Sequence, residues 1–379
     1  MPNTLPANKR DFAGIDGLHY FYSGAEGPAL LSQRAASLSY IDHKSMGQPG
    51  RDHHDVVMDS CRAQLGMMMG VDASNIAIVS NASEALHRLA ESIPWRGDAN
   101  VVSCDLEFPS VTLPLVSLRS AGVELRIVEN HNWVVTVDDI ARQVDENTQA
   151  IVVSHVSYKS GSRFDIAALA KVAQSVEALL IVDATQSLGV VPVEARSADY
   201  VIASTYKWLL GSHGAAAMYA RDPLGSPVVP SHVGWRSVQD MFAADRFERF
   251  DLWPDARRWE LGYPSFPSIY LLEQSLLYIN RFDPKAIETH VHRLGTTLLE
   301  GARGLGMVPM TPDEPSLRAG NIAIRADEPV KLAEDLAERG VIAWGGDGRI
   351  RFSIHLFNDD DDVTAALAGL RELVPSHCS

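Results

Sequence analysis

The sequence predicts an α/β fold, with a large domain on a mainly parallel, doubly wound sheet and a smaller α+β domain towards the C-terminus. Three observations carry this expectation. Short apolar runs at 75–80, 100–104, 150–155, 178–183 and 198–204 alternate with helical patterns at 83–93, 112–121 and 166–176, the rhythm of βαβ units. The run from Ala178 to Val182 is apolar at every position before Asp183, as in a strand covered by helices on both faces of a parallel sheet. From residue 284 long amphipathic patterns return around two short strand-like runs, near 321–324 and 349–353. The expected division is a large domain at 29–283 and a small domain made of 1–28 and 284–379.

Each element has a local reason. The run 75–80 leads into Ser80-Asn81-Ala82-Ser83, which opens a helix. Asn81 or Ser83 can cap that helix, and the same free N–H groups, with the Ser83 hydroxyl, suit an anion at the positive end of the helix dipole. The run 178–183 puts Asp183 at the carboxyl end of a strand, the edge where open α/β sheets bind ligands. The run 198–204 brings Ser204, and three residues later Lys207, to the same edge. Between 222 and 267 prolines, arginines and aromatic residues interrupt any period, so this stretch reads as irregular and contact-making. On the last strand-like run Arg349 and Arg351 alternate, so they share one face, and either could be a solvated surface charge. The acidic run 359–362 lacks the spaced ligands of a calcium loop and reads as a helix cap. Met67-Met68-Met69 reads as core.

Asp183 and Lys207, 24 positions apart (207 − 183), are the pair that pyridoxal phosphate requires. The lysine forms an imine with the aldehyde, and the carboxylate keeps the ring nitrogen protonated so that the ring draws electrons. No Gly-x-Gly-x-x-Gly or Walker lysine loop supports dinucleotide or ATP use. His43, His53 and His54 lack the companions of a tetrahedral metal site, and no nucleophile elbow surrounds Ser187. The 379 residues are 46% hydrophobic and 21% charged with net charge −15, which fits a globular chain and disfavours nucleic acid or an anionic membrane as partner. Three cysteines, Cys61, Cys104 and Cys378, are too few and too scattered for a disulfide framework. With no apolar leader in the first ten residues and no run of membrane-spanning length, a cytoplasmic protein is expected.

Six motifs add a family. They are Glu107-Phe108-Pro109-Ser110, Ser154-His155-Val156-Ser157-Tyr158, Val182-Asp183-Ala184-Thr185-Gln186-Ser187, Ser204-Thr205-Tyr206-Lys207, Gly262-Tyr263-Pro264-Ser265 and Arg349-Ile350-Arg351-Phe352-Ser353. Over nearly its whole length the chain resembles the class V aminotransferase family of fold-type I pyridoxal-phosphate enzymes, in the branch of kynureninases, cysteine desulfurases and isopenicillin N epimerase-like proteins. The resemblance implies Lys207 as the imine lysine, Asp183 on the pyridine nitrogen and Gln186 on the phenolic oxygen. It implies Ala82 and Ser83 at the phosphate, helped by Ser204 and Tyr206. Trp235 and Tyr263 fall where relatives contact the phosphate, often across a dimer interface, and Phe108 matches an aromatic residue stacked on the ring. Arg351 would grip the substrate α-carboxylate, with Tyr158 and Lys159 on the substrate side and Arg163 close by.

Departures narrow the activity. Where desulfurases carry a nucleophilic cysteine, this loop reads Ala343-Trp344-Gly345-Gly346-Asp347-Gly348, so persulfide formation is not expected. Pro109 stands in place of a stacking histidine, and Val111 in place of a polar residue of kynureninases, which argues against kynurenine hydrolysis. The expected activity is β-elimination from an amino acid, of the C–S lyase type, by a homodimer with shared sites. Transamination, epimerisation and oxidative decarboxylating deamination are the alternatives. A non-catalytic relative would have no use for Lys207, Asp183, Gln186 and Arg351 together.

Overall fold

The computed structural model describes residues 4–377, with side chains to Leu373. Cys378 lies outside the described residues. The chain opens with β1 (His19–Tyr20), α1 (Ser32–Lys44) and α2 (Gln48–Met69). Next come β2 (Ile76–Val79), α3 (Ala82–Ser92), β3 (Asn100–Cys104), α4 (Pro109–Ser117), β4 (Glu124–Val128), α5 (Val137–Ala141), β5 (Thr148–Ser154), α6 (Ile166–Gln174), β6 (Leu179–Asp183), β7 (Tyr200–Ser204) and β8 (Ala216–Ala220). After a long irregular stretch follow α7 (Phe266–Ile279), α8 (Pro284–Gly304), β9 (Asn321–Arg325), α9 (Pro329–Ala337), β10 (Val341–Ile342), β11 (Trp344–Gly346), β12 (Arg349–Ser353) and α10 (Asp360–His377).

Seven strands form one sheet in the order β2-β8-β7-β6-β5-β3-β4. Only β8 runs against the rest, since it pairs antiparallel with both β2 and β7 while the remaining pairings are parallel. Every residue of β2, β3 and β8 is buried, because helices cover the sheet on both faces and leave no solvated side. The register sets Ser154 beside Asp183 at the carboxyl ends of β5 and β6, with Ser204 ending β7 next door. Three polar side chains therefore converge on one edge.

A second sheet, β11-β12-β9, is antiparallel throughout. β1 pairs parallel with β10 in a separate two-stranded sheet, and the N-terminal segment touches β12, where the Ser353 N–H donates to the Phe21 carbonyl.

Several boundaries and one core assignment differ from expectation. The helix expected from 112 begins at Pro109, whose fixed φ suits a first turn. The strands β4 and β8 were not foreseen. β4 exposes Glu124 and Ile127 at the sheet edge, and Ala216-Ala217-Met218-Tyr219-Ala220 lacks the β-branched residues that mark a strand. The Met67-Met68-Met69 run is not core as a unit. Met58, Cys61, Leu65 and Met69 recur at helical spacing on the buried face of α2, which leaves Met67 outside that face and 65% exposed. Asp359 does cap α10, accepting the Asp362 N–H at 2.9 Å.

Candidate active site

Lys207 follows β7 and is buried. Its Nζ lies 5.4 Å from the centre of the Phe108 ring and 5.5 Å from that of Tyr206. Burial, reinforced by the positive charge of Arg351, pushes its amine down to about 8, against the opposing pull of Asp183 and Glu26. Asp183 ends β6, also buried, and accepts the Thr185 N–H at 2.8 Å. Burial raises this carboxyl, and a cation seated beside it would reverse that.

The sheet edge and α3 enclose a cavity of about 230 Å³. Ala82 and Ser83 border it at the start of α3, where Asn81 caps the helix by accepting the Glu84 N–H at 2.9 Å. The Ser83 and Ser110 hydroxyls are 2.7 Å apart. Phe108 and Tyr158 meet edge-to-face, ring centres 5.1 Å apart, and also border the cavity. Gln186, Ser204 and Tyr206 complete its wall around Asp183 and Lys207. A Cβ on Gly27 would come 2.1 Å from the Lys207 carbonyl, so only glycine lets the 23–27 loop approach the lysine this closely.

Gln186 is held before any ligand arrives. Its Oε1 accepts from Trp208 Nε1 at 2.8 Å and Asn321 Nδ2 at 2.9 Å, while Nε2 donates to the Gly24 carbonyl at 3.0 Å. The amide thus ties the large sheet to β9 and to the N-terminal loop, and its second N–H remains for a ligand.

Other expected residues stand apart from this wall. Arg351 is buried, donates from Nη1 to the Tyr158 carbonyl at 2.8 Å, and has no partner on Nε among the described residues. Burial and the charge of Arg349 both press against its ionisation, and an incoming carboxylate would relieve them. Neither arginine of β12 is a solvated surface charge, because Arg349 is fully buried as well. Lys159 is not merely solvated either: its Nζ pairs with Asp347 Oδ2 at 3.6 Å. Arg163 binds Glu288 at 2.5 Å and His155 at 3.1 Å, away from Lys207. Trp235 and Tyr263 form an edge-to-face pair, ring centres 4.8 Å apart, outside the cavity wall, and Trp235 is 42% exposed.

One residue of weight appears only in three dimensions. Glu107 is buried, takes the Ser154 N–H at 2.7 Å and the Ser154 hydroxyl on its other oxygen, and also accepts from the Cys104 thiol at 3.5 Å. It clamps the end of β5 beside Asp183 and fixes the chain that presents Phe108. Burial pushes its carboxyl up to about 7, and Asp183 adds to the rise. The available signal is an acid just past the carboxyl end of β3, inside the Glu-Phe-Pro motif.

These residues fit pyridoxal phosphate. The Lys207 amine, a buried carboxylate at the strand end, an aromatic ring over the amine and a helix N-terminus would supply the aldehyde, nitrogen, ring-face and phosphate partners respectively. The sequence model of the family described as aminotransferase class-V matches residues 39–365. The chain belongs to this family. It is a pyridoxal-phosphate-dependent enzyme.

Among relatives of this class V enzyme, an uncharacterised aminotransferase of Bacillus subtilis strain 168, YcbU, is 27% identical over 308 residues, 81% of each chain. A cysteine desulfurase from Thermococcus onnurineus NA1 superposes with TM-score 0.86 at 22% identity over 99% of this chain and 100% of that one. A cystine C–S lyase, C-DES, in complex with cysteine persulfide, does so with TM-score 0.86 at 20% identity over 95% of this chain and 99% of that one. Both superpositions show the fold, the fold-type I arrangement. Among the described residues no helix is long and apolar enough to cross a membrane.

Lys207 can capture the cofactor aldehyde only as a neutral amine. With this amine pushed down to about 8, loading of apoprotein should speed up about tenfold per pH unit below that point and level off above it. Stopped-flow absorbance from about pH 6 to 10 reads the profile. A rate still climbing towards the ordinary lysine value of about 10.4 would mean that the amine is not desolvated in solution.

Proposed function

We propose that this enzyme breaks a Cβ–S bond of a sulfur-bearing amino acid by β-elimination. One observation carries the reading. Of the three basic side chains around β12, Arg349 and Lys159 are both committed to Asp347, whereas no carboxylate lies within 4.0 Å of Arg351 among the described residues. A single reader for a single α-carboxylate remains. Transamination with a dicarboxylic acceptor would call for a second one. A desulfurase would call for an accessible thiol, yet the two cysteines among the described residues, Cys61 and Cys104, are buried and burial raises both.

The bound cofactor supplies an electron sink for the pair released at Cα. Lys207 takes the Cα proton, and the electrons left behind form the Cα–Cβ double bond as sulfur departs with the Cβ–S pair. The freed enamine then reacts with water to give a 2-oxo acid and ammonium. Phe108 and Tyr158 keep the reacting face apolar, and Arg351 turns the Cα–H bond towards Lys207 by holding the α-carboxylate. C-DES, a cystine C–S lyase by name, supports the same outcome.

The test is product balance, where 2-oxo acid and ammonium should appear in equal amounts, matched by cysteine persulfide from cystine or by a thiol from an S-alkylcysteine. An amino group recovered on an added 2-oxo acid, without ammonium, would overturn the reading in favour of transamination. Arg351→Ala should lower kcat/KM by roughly thirty- to a thousand-fold, the loss of about 2–4 kcal/mol in a charged contact made to the reacting molecule. A loss under about threefold would place the carboxylate elsewhere.

A further inference from the structure

Arg349 and Lys159 come from distant segments and converge on one oxygen. Arg349 Nη1 lies 2.6 Å from Asp347 Oδ2, and Lys159 Nζ lies 3.6 Å from the same atom. Arg349 is fully buried, yet its Nε and Nη2 have no hydrogen-bond partner among the described residues. A buried guanidinium whose hydrogen bonds, to the Asp347 carboxylate at 2.6 Å and the Asp347 carbonyl at 3.2 Å, both leave from Nη1 is short of anionic partners. Asp347 itself sits in the β11–β12 turn with φ of 46°, its side chain 53% exposed.

This cluster adjoins the α-carboxylate reader. Arg349 and Arg351 share a strand face and stand roughly 7 Å apart along it. Both guanidiniums pack on the Trp344 indole, at 4.8 and 5.0 Å from its ring centre. The Tyr158 ring, which borders the Lys207 cavity, lies 5.2 Å from the Arg349 guanidinium, and the Tyr158 carbonyl accepts from Arg351. A side-chain carboxylate of an amino acid whose α-carboxylate is on Arg351 would therefore meet Arg349 and Lys159.

We propose that Arg349 and Lys159 form a second carboxylate subsite that Asp347 fills from within, so that the enzyme rejects acidic amino acids and accepts neutral ones. Asp347 acts by occupying both cations and by repelling a like charge, discrimination through a built-in competitor rather than through a missing contact. This subsite rests on the assignment of the α-carboxylate to Arg351.

Asp347→Asn tests it, because asparagine tolerates the positive φ and removes the charge. Titration calorimetry on the cofactor-loaded protein with L-alanine, L-aspartate and succinate reads binding without turnover. In the variant, aspartate and succinate should bind at least about tenfold more tightly than in the parent, with alanine within about twofold. The double variant Asp347→Asn/Lys159→Met should lose most of that gain. Asp347→Gly, also at ease with this backbone, repeats the measurement should the asparagine variant melt early. An aspartate-to-alanine affinity ratio that stays at the parent value in both folded variants overturns the masked subsite. Failure of the underlying assignment looks different: Arg351→Ala would leave alanine binding intact. A wrong reaction assignment would change only the products from a thiol-bearing substrate and leave these ratios alone.

Discussion

Lys207→Ala is expected to lower turnover by at least ~10³-fold, in the upper part of the range for a lost proton-transferring or covalent group. Among the described residues Lys207 is the only lysine on the wall of the cavity at the edge of β5–β7. Water has little room to substitute, because Phe108 and Tyr206 flank Nζ and the 23–27 loop closes over the lysine carbonyl. The fold should survive, since burial already disfavours this charge and Asp183, though it loses the nearby positive charge, keeps its bond to the Thr185 N–H. Steady-state kinetics together with a melting curve separate the two effects. Activity within about tenfold of the parent would remove Lys207 from the chemistry.

Asp183→Asn should cost about 10² to 10³ in kcat, the size of loss seen when one preorganised electrostatic partner is removed. The amide oxygen can still accept from Thr185, so the exchange deletes charge with little change of shape. Without the carboxylate the ring nitrogen is less readily protonated, and the ring draws electrons less strongly. The expected signature is a fall in kcat with cofactor affinity nearly kept, because the α3 N-terminus and the serines around it are untouched. Parent-like kcat would refute the pairing.

Much of this was legible in the chain. The strands β6 and β7 bury nearly every residue, so each wrote an apolar run into the sequence, and the polar residues ending them, Asp183 and Ser204, marked the edge that borders the cavity. Asn81 announced its cap in the same way. What stayed hidden depends on pairings that sequence distance conceals. Glu107 acquires its meaning from Ser154, 47 positions later. Lys159 reads as a loop charge until Asp347, 188 positions on (347 − 159), comes within 3.6 Å. The anchoring of Gln186 depends on Asn321 in β9 and on a backbone carbonyl at Gly24, and no periodicity foretells either. Arg349 and Arg351 were readable as a shared face, but their complete burial required the packing of Trp344 and Tyr158 upon them.

The central claim is that Lys207 is the residue holding the cofactor, and borohydride reduction tests it most directly. Treatment of the cofactor-loaded protein, followed by digestion and mass spectrometry, should find one reduced pyridoxyl group per chain, on the peptide carrying Ser204-Thr205-Tyr206-Lys207, with the yellow absorbance lost at the same time. A label on any other lysine, or none on a protein that remains fully active, would contradict the account.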